Sequence, residues 1–185
     1  MSQRDSGYAR VAFDQYETPE WVTRALLPHI PENANIWEPA CGSGRMANVL
    51  NAVYRSDIQF GENFLSLGEG YDRKLSGDAL AAWYSVNAIV TNPPYNMAQD
   101  FIEHALSLMQ FEKGFVAMLL RTDFDHAKSR RNLFAEHPAF AKKLVLTKRI
   151  QWFEDSKSSP SFNHAWFIWD WQHQGAPAIA YHFED

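Results

Sequence analysis

The sequence predicts an α/β fold built on a mainly parallel sheet, and three observations carry that expectation. Short apolar runs alternate with segments of helical periodicity. Turns bearing glycine and proline separate them, without internal repeats or low-complexity linkers. Near the end two strand-like runs, KKLVLTKRI (142–150) and HAWFIWDW (164–171), stand with no convincing helix between them. Alternation followed by a strand pair implies a mainly parallel sheet with helices on its faces. In such sheets ligands gather outside the carboxyl ends of the strands.

Each element has its own reason. In YETPEW (16–21), Thr18 is a candidate N-cap and Pro19 suits the first helical position. NANIWEPACGSG (33–44) reads as a short strand entering a glycine turn, and RMANVLNAV (45–53) as the helix that follows. VYRSDI (53–58) is a second strand, while GEGYDRKLSGDAL (68–80) holds a poorly registered third. SVNAIVTN (85–92) is another strand, and two prolines end it by removing donors and fixing φ. MAQDFIEHALSLMQ (97–110) has Phe101, Ile102, Ala105, Leu108 and Met109 at helical spacing. GFVAMLLRT (114–122) reads as a buried strand, and HAKSRRNLFAEH (126–137) as a helix stopped near Pro138.

Length and composition bound the function classes. At 185 residues, 46% hydrophobic and 15% aromatic, the chain suits one domain, 1–185, with a real core rather than disorder. It holds no apolar run of roughly 18 residues, and MSQRDSGYAR lacks a signal-peptide core. One cysteine forms no internal disulfide, so the expectation is a soluble, cytoplasmic protein without a membrane partner. The net charge of −5 is uneven. Residues 1–112 carry 7 Lys/Arg against 14 Asp/Glu, residues 113–157 carry 10 against 5, and residues 158–185 carry none against 3. The basic block, with Lys128, Arg130, Arg131, Lys148 and Arg149, suits phosphate contacts or plain solvated helix faces.

Two motifs carry chemistry. CGSGRMA (41–47) satisfies G-x-G-x-x-A through Gly42, Gly44 and Ala47, a pattern that lets backbone approach a ligand at a helix start. Alone it is weak, since a plain tight turn also explains it. Glu38 sets a carboxylate at the end of the first strand, and Asp57 ends the second, where it suits ribose hydroxyls. The second motif is Asn92-Pro93-Pro94-Tyr95 at a strand end.

Together EPACGSG (38–44) and NPPY (92–95) resemble the class I S-adenosylmethionine-dependent methyltransferases of the NPPY amino-methyltransferase branch. The order of the motifs is similar to that of adenine-N6 DNA methyltransferases with the cofactor motif first. RIQWF (149–153) and NHAWFIWD (163–170) resemble small phage-type members, and the likeness spans most of the chain. The resemblance implies a Rossmann-like fold with a seven-stranded sheet whose last strand is antiparallel. It implies S-adenosylmethionine as cofactor, with Tyr16, Thr18, Glu38, Ala40, Gly42, Gly44 and Asn92 around it. Asp57 would hold the ribose, and Asp78 in SGDAL (76–80) would meet the adenine, with Asp72 the weaker candidate.

The resemblance also gives NPPY its chemistry. A nucleobase amine is a poor nucleophile because its lone pair is delocalised into the ring. Acceptance of its N–H bonds by the Asn92 side-chain oxygen and the Pro93 carbonyl would free that lone pair, and Pro94 stiffens the acceptors. Tyr95 offers a face for stacking, worth about 1–3 kcal/mol per extruded base. Arg130, Arg131, Lys148, Arg149 and Trp152 complete the expected substrate contacts, with Phe153 beside Trp152. The segment 153–163 suits a covering loop or a passive one.

Adenine N6 of DNA leads as acceptor, ahead of RNA adenine, cytosine N4 and a protein glutamine. A non-catalytic cofactor-binding subunit that activates a partner is the reading from another class, and a homodimer or partner subunit fits either. Intact NPPY and glycine motifs favour catalysis, and an NAD dehydrogenase leaves NPPY without a task. Cys41 lies in the cofactor turn, away from the Pro-Cys pair of cytosine-C5 chemistry. No histidine spacing suits a metal: His104, His126 and His137 read as helix-surface residues. Trp166, Phe167, Trp169 and Trp171 read as the core and edge of a strand.

Overall fold

The computed structural model describes residues 16–66, 83–152 and 162–183. Seven strands among them form one sheet: β1 Ile36–Glu38, β2 Tyr54–Arg55, β3 Ala88–Thr91, β4 Phe115–Arg121, β5 Phe140–Leu146, β6 His164–Asp170 and β7 Ala178–His182. Their order across the sheet is β2-β1-β3-β4-β6-β5-β7. Neighbours pair in parallel except β6, which runs antiparallel to both β4 and β5. The antiparallel strand is the sixth in chain order among the described strands. A further strand, β7, follows it and pairs parallel with β5 along Lys142–Leu146 and Ala178–His182. SGDAL and its neighbours, where the family's third strand was expected, lie outside the described residues.

The central strands are buried throughout, as their apolar runs require: β3 and the first six residues of β4 and β6 have no exposed side chain. Three tryptophans fill both faces. Trp37 donates to Ser56 Oγ at 2.9 Å, Trp166 to the Val22 carbonyl at 2.9 Å and Trp169 to the Leu133 carbonyl at 2.7 Å. Their indole N–H groups are therefore buried at no hydrogen-bond cost.

Helices among the described residues that flank the sheet include α1 Glu20–Leu26, α2 Arg45–Leu50 and α3 Ala98–Glu112. Helix α3 buries Ala98, Phe101, Ile102, Ala105, Leu106 and Met109, an i, i+3, i+4 stripe against the core. Lys113 ends it in the left-handed conformation at φ 48°, and Gly114 follows. A Cβ at Gly114 would collide with the Asn87 carbonyl, so only glycine lets α3 turn this tightly into β4. Helix α2 is shorter than its pattern suggested, because Asn51 takes φ 50° and stops it at Leu50.

The helix expected over 126–137 is absent. Instead 3-10 turns cover Phe124–His126 and Lys128–Leu133. Local tertiary bonds compete with an α-helix there. Arg130 donates to the Phe124 carbonyl at 2.9 Å and Lys143 to the Thr122 carbonyl at 2.8 Å and to Asp125. Of the expected helix-surface histidines, His104 alone sits on an α-helix, where it meets Phe64 edge-on at 4.8 Å, while His126 is exposed at the end of a 3-10 turn.

Candidate active site

Strands β1, β2, β3 and β4 are parallel, so Glu38, which ends β1, lies on one edge of the sheet with Ser56, Asn92 and Thr122, which follow β2, β3 and β4. A cleft of about 420 Å³ opens at the β1–β3 part of that edge, within the size range of small-molecule sites. Tyr16, Thr18, Glu38, Ala40, Gly42, Asp57 and Asn92 all line it, so the structure gathers these expected site residues.

One wall is built locally. After β1 the chain turns through Gly42 at φ 51° and Gly44 at φ 88°, then enters α2. Both conformations favour glycine. A Cβ on Gly42 would touch nothing within 4 Å, so its bare backbone faces open space. Asp57 braces the turn from β2: its Oδ2 accepts from the Gly42 amide at 2.8 Å, and its Oδ1 from the Gln59 amide at 2.9 Å. The carboxylate therefore caps the 3-10 turn Ile58–Phe60 and fixes the glycine loop while lining the cleft.

Glu38 is the charged outlier. It is 2% exposed and its Oε2 has no hydrogen-bond partner in the protein. Burial pushes its pKa up to about 8, helped by Asp57 and opposed by the Ala47 amide and Arg55. Cys41 beside it is pushed up to about 11, chiefly by burial, which keeps the thiol protonated and unsuited to nucleophilic attack.

The other wall is assembled across the chain. The Asn92 side-chain NH2 donates to the Tyr16 carbonyl at 3.3 Å and to Thr18 Oγ1 at 3.2 Å. Thr18 thus serves Asn92 and leaves α1 uncapped; that helix starts one residue later than expected, with Pro19 at its N-cap. With both N–H bonds directed to protein acceptors, Asn92 Oδ1 is left buried and without a partner.

Beside the cleft stands a run of rings. Tyr16 meets Trp152 at 5.6 Å, Trp152 meets His164 edge-on at 5.3 Å, and His164 stacks on Tyr95 at 6.0 Å. The Tyr95 hydroxyl lies 3.0 Å from His164 Nε2. His164 is held neutral, its pKa lowered to about 4 by burial and by Arg121. Pro93 is buried, whereas Pro94 lines the cleft.

The basic residues are less uniform than their count suggests. Arg130 is half-buried, its guanidinium 3.7 Å above the Phe124 ring and its Nε without a partner. Arg131 pairs with Glu136 at 2.9 Å. Lys148 and Arg149 are exposed just past β5; Lys148 lies over Trp21 at 5.5 Å, and Arg149 donates to Asn163 at 2.9 Å. Asp72, Asp78, Phe153 and most of the 153–163 segment lie outside the described residues. Among the described residues no cluster of His, Cys, Asp or Glu could hold a metal ion, and no helix is long and apolar enough to cross a membrane.

Several cleft residues were not foreseen. Ile58 and Phe60, 51% and 67% exposed, follow Asp57 in the lining of the cleft, and Phe64, Met97 and Phe101 add further apolar lining. The apolar pair directly after an acidic strand end was the available signal. His164 gave only a weaker one, a single polar residue opening a strongly apolar strand.

No family model and no curated protein matches the sequence. Solved structures do. A type I restriction-modification methyltransferase subunit from Streptococcus thermophilus superposes with a TM-score of 0.55 at 14% identity, over 85% of this chain and 45% of that one. A protein from Listeria monocytogenes described as a class I S-adenosylmethionine-dependent methyltransferase gives 0.54 at 10% identity, over 95% of this chain and 67% of that one. The chain has the class I methyltransferase fold. It spans under half the length of the restriction-modification subunit, so what that larger protein acts on is not carried over with the fold.

Proposed function

We propose that this chain is an S-adenosylmethionine-dependent amino-methyltransferase whose preferred acceptor is adenine N6 of DNA. The observation that carries the reading is the Asn92 amide, whose NH2 is tied to Tyr16 and Thr18 while its Oδ1 stays buried and unpaired beside a cleft. A buried lone acceptor costs stability, and an acceptor amine repays it by donating one N–H.

The residues of the glycine wall fit the cofactor. Bare backbone at Gly42 leaves space for close approach, and the unpaired Glu38 Oε2 would regain its charge beside a cationic amino group. Asp57, with lone pairs left after its two amide bonds, suits ribose hydroxyls. When bound, the cofactor supplies a methyl group on a positive sulfur. Asn92 and the Pro93 carbonyl accept the two N–H bonds of the amine and aim its lone pair in line. Charge growing on that nitrogen meets fixed acceptors that need no reorganisation, and the proton leaves afterwards to water. Tyr95, Trp152 and Tyr16 give a planar base faces to stack on, and Lys148 and Arg149 suit the flanking phosphates.

The test is transfer of tritiated methyl from the cofactor to duplex DNA, single-stranded DNA, RNA and protein, followed by digestion. N6-methyladenine in the DNA digest is expected. Label in glutamine alone would move the acceptor to protein, and binding of NAD without the sulfonium cofactor would sink the reading.

A further inference from the structure

His164 is 69 residues from Tyr95 in sequence, yet the two are joined at 3.0 Å. Strand β6 makes this possible by running against its neighbours, so that it begins at the edge where β3 and β4 end. Its first residue, His164, is register-paired with Arg121, the last of β4. The imidazole is 2% exposed and lies within 24° of parallel to the Tyr95 ring, while Trp152 meets it at 85°. On the Tyr95 side, Pro94 precedes with φ −54° and the chain closes a 3-10 turn, Tyr95–Met97. Backbone and hydroxyl are then both fixed, which leaves the Tyr95 ring little torsional freedom.

We propose that His164 is a positioning residue for methyl transfer: its Nε2 accepts the Tyr95 hydroxyl hydrogen and holds that ring ready to stack on a planar heterocyclic amine. The inference rests on the amino-methyltransferase reading and deepens it, because a pre-oriented flat ring rewards a nucleobase more than a flexible glutamine. A neutral imidazole has one acceptor nitrogen, so the assignment puts the hydrogen on Nδ1; that atom is buried without a hydrogen-bond partner among the described residues, a cost the clamp has to outweigh. Pre-orientation removes the ordering cost of one side chain on binding, worth about 2- to 12-fold in affinity.

Two measurements test it together. Nitrogen NMR of the wild-type chain without substrate should show the Nδ1–H tautomer of His164 at neutral pH, with the signal displaced in Tyr95→Phe. An Nε2–H tautomer overturns the clamp whatever the activity. In methyl transfer to an adenine-containing oligonucleotide, His164→Leu should raise KM about 2- to 12-fold with kcat and cofactor affinity nearly unchanged. Tyr95→Phe should do the same, the double variant should be no worse than either single one, and His164→Gln, whose amide can reach the Nε2 position, should restore most of the loss. Additive effects, or an unchanged KM in both single variants, overturn the proposal. If His164→Leu does not fold, raised KM in Tyr95→Phe with near-normal KM in His164→Gln supports it, and wild-type KM in Tyr95→Phe overturns it. The Nδ1–H tautomer with no methyl transfer to any acceptor overturns the reaction reading, and with it the positioning role, while leaving the hydrogen bond in place.

Discussion

The two walls of the cleft are built in opposite ways. The glycine wall spans residues 38–57 and is closed by bonds between near neighbours, Gly42 to Asp57 being 15 apart in sequence. The amide wall joins Asn92 to Tyr16 and Thr18 across 76 and 74 residues. Each wall leaves one buried oxygen unpaired, Glu38 Oε2 on the first and Asn92 Oδ1 on the second. The contrast teaches that the glycine wall is a local turn motif, whereas the amide wall exists only once the sheet has formed.

Mutation can break that division. Asn92→Ala should lower kcat by an amount worth about 2.7–4 kcal/mol, by analogy with removing one preorganised polar contact, and leave cofactor affinity nearly intact. Calorimetry beside single-turnover rates checks both halves; undiminished turnover would refute the role of the amide. Asp57→Ala should do the reverse. It removes two charge-assisted bonds of about 1.5–3 kcal/mol each, so both melting temperature and cofactor affinity should fall, more than in Asn92→Ala. Equal cofactor affinity in the two variants would erase the distinction between the walls.

The pH dependence of stability sharpens the comparison. Glu38 has a folded pKa raised from 4.5 to about 8, so the native state binds the extra proton and stability falls as pH rises through that window. His164 has a folded pKa lowered from 6.5 to about 4, so the unfolded state binds the extra proton and stability rises between those values. The two slopes oppose one another from about 4.5 to 6.5, and only the Glu38 loss, up to about 1.4 kcal/mol per pH unit, continues above. Denaturant melts of Glu38→Gln should lose the decline between pH 6.5 and 8, and saturating cofactor should flatten it in the wild type. A decline that persists in the variant would remove Glu38 as its source.

The smallest effect belongs to the basic block. Arg131→Gln breaks an exposed pair with Glu136 and should change stability by less than about 1 kcal/mol. If DNA is the substrate, Lys148→Gln with Arg149→Gln should flatten the salt dependence of binding by about 0.9 for each phosphate left without its cation, whereas Arg131→Gln should not. An unchanged slope in the first pair would return these residues to ordinary surface.

How much of this was legible follows from where each constraint resides. Periodicity placed α3 and the buried strands β3, β4 and β6, because their side-chain pattern repeats within one element. Gly42, Gly44 and Asn92-Pro93-Pro94 announced themselves by conformational needs that few other residues meet. The segment 126–137 misled, since its helical pattern yields to bonds from Arg130 and Lys143 that come from packing.

The sequence by itself determined the α/β class, the glycine turn and the polar strand end, each a property of a few adjacent residues. Tertiary structure decided that β7 would add to the sheet beside β5, that Thr18 would hold Asn92 in place of capping α1, and that His164 would reach Tyr95. Those outcomes depend on which strands become neighbours and on where water is excluded. Pairing energy and burial are shared across the whole sheet, so no local stretch of chain encodes them alone.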